Sequence, residues 1–357
     1  MAAMTCTTIE LATPNGLEYR RVSTKTPRLP EEDEMPVIDL GALNGDFAAR
    51  KKLASQFRTA AEKTGFFYVR NHGIPEDLIQ SALSQIQNFF EQPEETKESI
   101  SLHHADQTLG YLGVGGSQIR NTESRDRKAT FSMRYDPRVD PTRHDNEPAD
   151  ESRSGAVDQI WENTSHLKGF QDALVEFWQK RLELVRRMVR IMALALDLPE
   201  SYFDAVTTHP GADAVYIHYP PTPREDMTAG VDVGIGSHTD IQCITLLWQD
   251  TSGGLQVLTA DGEWLDARPL EGTLVVNIGD FLQRLSNNRF KSTVHRVYNR
   301  KSTSQYSMPF YLGFNPEATL QVVPTCVDKD HPVLYESISC GKWHTDRLML
   351  AEQGTVA

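Results

Sequence analysis

A series of short strand-like runs in the second half of the sequence constrains the fold more than any other feature of the chain. From about Ala212 onward these runs follow one another at close spacing: VYIHY, CITLLW, LQVL, TLVVNIG, HRVYN and YSMPFYLGF. Turn signals separate them, among them Gly253-Gly254, Asp261-Gly262 and Asn287-Asn288. Many short strands divided by turn residues are typical of a β-sandwich or β-barrel. We therefore predict a mainly β core for this half.

The first half of the sequence has a helical pattern. Apolar residues recur at helical spacing over residues 47–63 and 78–90, and a long apolar stripe covers 167–198 until Pro199 ends it. Two apolar runs, MPVIDL and FFYV, predict short buried strands among these helices. Residues 102–155 show no clear period apart from one strand-like piece near 131–135, and long irregular stretches commonly carry function.

These patterns predict an α+β fold with one catalytic domain in four segments. We expect an extended, polar N-terminal arm over residues 1–33 and a region of helices and strands over 34–205. The β core then covers 206–325, and a C-terminal helical segment over 326–357 packs back onto it.

Net charge and cysteine content limit the cellular location and the binding partners that we expect. The 357 residues carry a formal net charge of −13, which disfavours binding to nucleic acid or to anionic membranes. We find no signal-peptide pattern and no apolar run near the roughly 20 residues of a membrane helix, so we expect a cytoplasmic protein. The four cysteines form no CxxC pair, which disfavours a zinc knuckle and a disulfide framework. A small-molecule partner fits best, and the sequence leaves the oligomeric state open.

A histidine and an acid two residues apart form the most informative motif. Such a pair at a strand end points to one side, because side chains alternate along a strand. The sequence contains three matches, namely His104-Ala105-Asp106, His238-Thr239-Asp240 and His344-Thr345-Asp346. The second follows GIGS and precedes the apolar run CITLLW, which places it at the mouth of a barrel strand. The first lies in a polar stretch and the third near the chain end, so we favour His238 and Asp240 as metal ligands.

A third ligand is expected from a later strand of the same barrel. His295 lies in the alternating run KSTVHRVYN, far enough downstream for several strands to intervene. Two histidines and a carboxylate on one face are typical of Fe(II) sites that leave positions open for substrate and oxygen. Zinc accepts the same ligands, but the helical H-E-x-x-H signature of zinc hydrolases is absent. We therefore predict a catalytic Fe(II) site formed by His238, Asp240 and His295.

The sequence also resembles a known family over almost its whole length. The motifs MPVIDL, GFFYVRNHGIP, GIGSHTD, GGLQV, the run from Gly272 to Val297 and YSMPFYLGFNP are similar to those of isopenicillin-N-synthase-like Fe(II)/2-oxoglutarate-dependent dioxygenases. The segments KATFSMRYDP, ALALDLPESYFD and HYPP resemble the fungal branch of that family. The resemblance implies a double-stranded β-helix, or jelly roll, with a helical N-terminal half and a C-terminal helix. It also implies Fe(II), 2-oxoglutarate and O₂ as reaction partners, and small-molecule oxidation in secondary metabolism.

The resemblance further implies a site for the far carboxylate of 2-oxoglutarate. Tyr219 and Ser307 stand at two of the family's anchor positions, but Gln305 replaces the arginine and Ile217 replaces an asparagine. An arginine normally pairs with that carboxylate through two hydrogen bonds. Other bases that could replace it are Arg284, Arg296 and Arg300.

This departure leaves two alternatives open. A 2-oxoglutarate-independent Fe(II) oxidase of the isopenicillin N synthase type would leave the cosubstrate pocket free to change. A non-catalytic iron-binding protein is a further alternative, although no triad residue is missing. For the substrate pocket we predict contacts from Phe131, Arg134, Phe310 and Trp343.

Overall fold

The computed structural model describes residues 6–13, 16–101, 110–117, 126–143, 151–222, 234–298 and 301–353. Its helices are α1 (Phe47–Lys63), α2 (Glu76–Phe90), α3 (Glu94–Glu98), α4 (Glu151–Asn163), α5 (Phe170–Ala195), α6 (Asp280–Leu285) and α7 (Cys340–Gln353). Its strands are β1 (Cys6–Thr13), β2 (Gly16–Ser23), β3 (Val37–Asp39), β4 (Phe66–Arg70), β5 (Gly110–Leu112), β6 (Ala129–Met133), β7 (Ala212–Tyr219), β8 (Ile235–His238), β9 (Ile244–Gln249), β10 (Leu255–Leu258), β11 (Trp264–Asp266), β12 (Thr273–Ile278), β13 (His295–Val297), β14 (Gln305–Leu312), β15 (Thr319–Leu320) and β16 (Ile338–Ser339).

Two sheets form the core of the molecule. The larger sheet has eight strands in the order β3-β4-β12-β9-β14-β7-β6-β5, and the smaller has four in the order β11-β10-β13-β8. Within these two sheets the paired strands are antiparallel, except for the parallel pair β3 and β4. One apolar cluster unites inward-facing residues of both sheets, including Phe66, Ile217, Leu255 and Val297. The predicted α+β class with a double-stranded β-helix core is confirmed.

A layer of helices covers the outer face of the large sheet. Along α5 the side chains of Phe177, Trp178, Val185 and Met188 are fully buried, as the apolar stripe predicts. Burying each such side chain contributes roughly 1.5–3 kcal/mol to stability. The Trp178 indole N–H also donates to the Ala212 carbonyl (3.1 Å), which joins α5 to the first strand of the barrel half. Among the described helices, none is both long and apolar enough to cross a membrane.

The N-terminal arm differs from the extended segment that the sequence predicts. Strands β1 and β2 pair as an antiparallel hairpin. Leu11 and Val22 of this hairpin are buried against Leu258, Trp264 and Val294. Both strands are mostly polar, so their sequences do not show which residues are buried. The buried positions are defined by contacts with the small sheet.

Candidate active site

Strand pairing brings the two predicted histidine ligands together. β8 and β13 run antiparallel, and their register sets His238 directly opposite His295. The centroids of the two imidazole rings are 4.2 Å apart. Asp240 follows two residues after His238, in the turn that leaves β8. The strand register therefore assembles the three residues from two separate segments of the chain.

The ligand atoms of these residues point toward one another. Oδ1 of Asp240 lies 3.7 Å from Nε2 of His238 and 3.7 Å from Nε2 of His295. Each ring places its Nδ1 near a backbone carbonyl, that of Gly236 (2.8 Å) or Thr293 (3.1 Å). Because a carbonyl can only accept, Nδ1 carries the proton in each ring and Nε2 is left with its lone pair. The geometry fits a divalent metal bound by two imidazoles and one carboxylate.

Electrostatics favour the protonation states that a metal needs. Burial lowers the pKa of His238 to about 3, and the neighbouring His295 acts in the same direction. Burial acts to raise the pKa of Asp240, but His295, His238 and two hydrogen bonds outweigh it, so that this pKa falls below its usual value. Neutral His238 and ionised Asp240 are the forms that bind Fe(II). Within the described part of the chain, these three residues are the only group of three or more His, Cys, Asp or Glu found close enough to hold one ion.

Two further side chains orient the carboxylate. Oδ2 of Asp240 accepts from the Thr245 hydroxyl (2.5 Å) and from the Asn277 amide (2.6 Å), which leaves Oδ1 turned to the metal position. Gly279 packs against this turn, and a Cβ added to it would lie 2.2 Å from the backbone carbonyl oxygen of Gln242. Neither Thr245 nor Asn277 is among the candidates named from the sequence. Their roles follow from the pairing of β9 with β12 beside the triad.

An inner cavity lies between the two sheets, beside the triad. It encloses about 500 Å³ and is lined by the triad and by the predicted anchors Tyr219, Ser307 and Gln305. A side-chain hydrogen bond joins Tyr219 to Ser307, and β7 pairs Tyr219 directly with Gln305 on β14. The amide of Gln305 donates to the Gly253 carbonyl (2.5 Å). Among the described residues, no lysine or arginine lines this cavity.

The arginines proposed as replacement anchors are engaged elsewhere. Arg284 donates to the Glu336 carbonyl and stacks over the Tyr335 ring. Arg296 donates to Gln256 and lies over the Trp264 ring, on the opposite side of β13 from His295. Arg300 lies outside the described residues. The inner cavity therefore presents hydroxyl and amide groups around Tyr219, Ser307 and Gln305, and no basic side chain of the described residues lies among them.

A larger outer cavity opens on the other side of the metal position. It has about 1390 Å³ of space and shares His238 and Asp240 with the inner cavity. Arg134, one of the predicted substrate contacts, lines it. Its polar wall also includes residues that no motif in the sequence singles out: Lys128, Asp213, Gln242 and Arg347. Trp343 lines a third, adjoining cavity, where its indole N–H donates to the Ile241 carbonyl (2.9 Å).

Phe131 and Phe310 lie away from the cavities, in contrast to the prediction. Phe131 packs against Phe89 and Phe170, with ring centroids 5.1 and 5.3 Å away. Phe310 contacts the Trp178 ring within the helical layer. On β6 and β14 it is the neighbouring residues, such as Thr130 and Tyr311, that face the cavities. Both phenylalanines belong to the hydrophobic core.

Of the two other His-x-Asp motifs, only His344-Thr345-Asp346 lies in the described part of the chain. His104 and Asp106 lie outside the described residues. His344 is on α7 beside the outer cavity, and its motif partner Asp346 pairs with Lys342. His218 packs on the helical side of β7, where its ring stacks on Tyr306 and burial lowers its pKa to about 4.

Comparison with known proteins gives a consistent result. Residues 35–153 match a family described as the N-terminal part of a non-haem dioxygenase in morphine synthesis, and residues 211–313 match the 2OG-Fe(II) oxygenase superfamily. The chain is 39% identical to the 2-oxoglutarate-Fe(II) type oxidoreductase ppzC of Metarhizium rileyi, over 96% of this chain and 94% of the relative. It is 32% identical to hxnY of Emericella nidulans, a protein of the same described type, over 85% and 86% of the two chains.

Solved structures extend this similarity to three dimensions. The chain matches full-length Neurospora crassa T7H, crystallised in complex with alpha-KG, with a TM-score of 0.73 and 28% identity. That match covers 91% of this chain and 100% of the other. A further T7H structure, in complex with alpha-KG and thymine, matches with a TM-score of 0.74 and 26% identity.

Proposed function

The chain belongs to the 2OG-Fe(II) oxygenase superfamily, and from that premise we propose that it oxidises a small organic molecule in secondary metabolism. It is an Fe(II)- and 2-oxoglutarate-dependent oxidoreductase. The relatives favour this class over the cosubstrate-independent oxidase and the non-catalytic iron-binding protein that the sequence left open. The finer proposal concerns the substrate, the outcome of the reaction and the residues that bind each partner.

One observation carries the proposal: His238 and Asp240 border both the inner and the outer cavity. A metal held by the triad would therefore face a narrow chamber on one side and a larger one on the other. The inner chamber suits a small cosubstrate, and the outer chamber suits the molecule to be oxidised. Bound iron with 2-oxoglutarate and O₂ supplies the oxidising power, while the protein orients the substrate and keeps water out.

Within the inner chamber, we assign the far carboxylate of 2-oxoglutarate to Tyr219, Ser307 and Gln305. All three side chains are nearly inaccessible to solvent, at 1%, 6% and 3% exposed. Hydroxyl and amide groups can donate hydrogen bonds to a carboxylate, although they lack the charge of an arginine. This arrangement predicts a functional cosubstrate site of modest affinity.

In the outer chamber we assign Arg134 as a substrate contact. Trp343 lines the adjoining third cavity and supports the wall on that side. Hydroxylation, desaturation and ring closure are all compatible with such a chamber. T7H was crystallised with thymine, a small cyclic molecule, which supports a substrate of similar size. The description of the matching N-terminal family supports a role in secondary metabolism.

A titration under anaerobic conditions tests this proposal. The Fe(II) protein should develop a saturable visible charge-transfer band with 2-oxoglutarate, and His238→Ala should not. Exposure to oxygen with a panel of small cyclic molecules should then release succinate in proportion to an oxidised product. The proposal fails if iron binds without any band, or if no member of the panel increases succinate formation above the substrate-free rate.

A further inference from the structure

Four polar residues form the boundary between the outer cavity and the third cavity. Arg134, Asp213, Gln242 and His344 line both of these spaces. They come from four places in the fold: Arg134 follows β6, Asp213 lies on β7, Gln242 lies between β8 and β9, and His344 lies on α7. Gln242 is only two residues beyond the metal ligand Asp240. We refer to these four residues as the polar cluster.

Gln242 has an unused hydrogen-bonding atom at this boundary. Its side-chain amide donates to Oδ2 of Asp213 (2.9 Å), which fixes the direction of the amide group. Its side-chain oxygen Oε1 is buried and has no hydrogen-bond partner among the residues that the structure describes, and the residue as a whole is 7% exposed. A buried acceptor without a donor is unfavourable, and such atoms in native proteins usually await a ligand or a water molecule.

The surrounding backbone leaves room for this side chain. A Cβ added to Gly313 would lie 3.1 Å from Oε1 of Gln242, and one added to Gly211 would lie 3.8 Å from it. Gly211 and Gly313 have ordinary backbone angles. A larger residue at position 313 would therefore disturb the Gln242 side chain by steric contact and not through backbone strain. The chain thus accommodates an amide side chain beside the metal-binding turn.

The charges in the polar cluster balance. The Arg134 guanidinium lies near Asp213, with 3.8 Å between Nε and Oδ1, so one positive group faces one negative group. Burial lowers the pKa of His344, which keeps its ring uncharged at neutral pH. A cluster without net charge gives no advantage to an anion or a cation. It suits a neutral group that both donates and accepts hydrogen bonds.

We propose that the polar cluster binds a secondary amide or lactam of the substrate. The N–H of that group donates to Oε1 of Gln242, and its carbonyl accepts from the Arg134 guanidinium. Oε1 of Gln242 lies beside Gly211 and Gly313, which line the third cavity, and Gln242 also lines the outer cavity together with His238 and Asp240. A substrate whose amide is held at this boundary therefore extends through the outer cavity and brings a neighbouring C–H bond toward the metal. This inference rests on the proposed function and defines the chemical class of its substrate.

Three probes of similar size test the proposal on the anaerobic protein loaded with Fe(II) and 2-oxoglutarate. The first is 2-piperidinone, which offers an N–H and a carbonyl. Cyclohexanone lacks the N–H, and N-methyl-2-piperidinone blocks it. Dissociation constants come from the probe-dependent rise in melting temperature and from the shift of the charge-transfer band. One hydrogen bond to a buried acceptor predicts about tenfold tighter binding of 2-piperidinone than of the other two.

Two variants connect any preference to Gln242. Gln242→Met keeps the length of the side chain but removes both polar atoms, so the three probes should bind within about twofold of one another. Gln80→Met, on the exposed side of α2, is the matched control and should keep the full preference. If Gln242→Met fails to fold or to form the band, the comparison of probes on the unmodified protein still decides.

The outcomes separate this inference from the proposed function. A normal band with equal binding of the three probes, or with no binding of 2-piperidinone up to its solubility limit, overturns the amide site alone. A preference for 2-piperidinone that persists in Gln242→Met also overturns it. An absent band in the unmodified protein contradicts the cosubstrate site instead.

Discussion

Gln305 is the residue at which this chain departs most clearly from the pattern of its family. Its amide donates to the Gly253 carbonyl, and the adjacent Tyr219 and Ser307 offer hydroxyl groups without charge. A carboxylate taken into such a cavity loses its hydration without gaining a cation, which weakens its binding. We therefore expect Gln305 to limit the affinity of the protein for 2-oxoglutarate.

Replacing Gln305 with arginine should strengthen cosubstrate binding. A bidentate charge-assisted pair is stronger than neutral hydrogen bonds, and we expect Gln305→Arg to lower the dissociation constant for 2-oxoglutarate by about tenfold or more. The titration of the charge-transfer band measures it. 2-Oxopentanoate, which lacks the far carboxylate, is the control ligand and should gain nothing. An equal gain for both ligands would mean that the arginine acts elsewhere.

Asn277 offers a second test at the residue scale, directed at the metal. Its amide holds Oδ2 of Asp240, so Asn277→Leu should let the carboxylate rotate away from the metal position. Loss of such a supporting contact typically lowers metal affinity by roughly 10–100-fold. Competition with a coloured chelator under anaerobic conditions gives the Fe(II) affinity. Asn88→Leu, on the exposed side of α2, is the control. Unchanged affinity in Asn277→Leu would show that Thr245 alone orients Asp240.

At the scale of the elements, the junction between α1 and β4 depends on a glycine. Gly65 has a φ of +69°, and a Cβ added there would lie 1.9 Å from the Lys291 carbonyl oxygen. Gly73, after β4, has a similar φ of +79° but nothing within 4 Å of an added Cβ. The two positions share the left-handed conformation and differ in the space around them.

This pair of glycines separates backbone strain from steric conflict. Gly73→Ala should cost about 1–2 kcal/mol, the usual penalty for a side chain in the left-handed region. Gly65→Ala should cost clearly more, because α1 and β4 must also move away from the backbone of Lys291. Urea unfolding followed by circular dichroism measures both free energies. Equal losses would indicate that the Lys291 segment yields easily.

The elements also show where sequence patterns are sufficient. The helical period predicted α1 and most of α5, and the triad followed from residue types, spacing and strand order. The predicted substrate contacts Phe131 and Phe310 pack in the hydrophobic core, because β6 and β14 are buried on both faces. Alternation then identifies two faces without indicating which one borders the cavity. The role of Gln242 depends on residues distant in sequence, so no local pattern could reveal it.

At the scale of the whole molecule, Arg186 joins the helical half to the β half, and a buried ion pair holds this side chain in place. Arg186 on α5 donates to both carboxylate oxygens of Asp140, at 3.0 and 2.7 Å. The same guanidinium donates to the carbonyls of Thr207 and Thr208, just before β7. A run of basic residues on a helix is usually solvated, but Arg186 is largely buried. Its side chain is 15% exposed and that of Asp140 is fully buried.

The pH dependence of stability tests this connection. Burial acts to raise the pKa of Asp140, but the bonds from Arg186 and Thr142 outweigh it, so this pKa lies below its usual value. A carboxyl group with a lowered pKa stabilises the fold above its unfolded pKa of about 3.9, and that contribution disappears as the pH falls through the folded value. Asp140→Asn should therefore be less stable than the unmodified protein by roughly 3–5 kcal/mol at neutral pH, because Arg186 loses its buried partner.

The gap between the two proteins should narrow as the solution is acidified below about pH 4, where the unmodified protein also begins to lose its carboxylate. Urea unfolding at a series of pH values measures the gap. Asp204→Asn, which removes an exposed partner of Arg190, is the matched control and should cost less than about 1 kcal/mol at any pH. A gap for Asp140→Asn that stays constant from neutral to acid pH would mean that the ionised carboxylate is not what holds Arg186 in place.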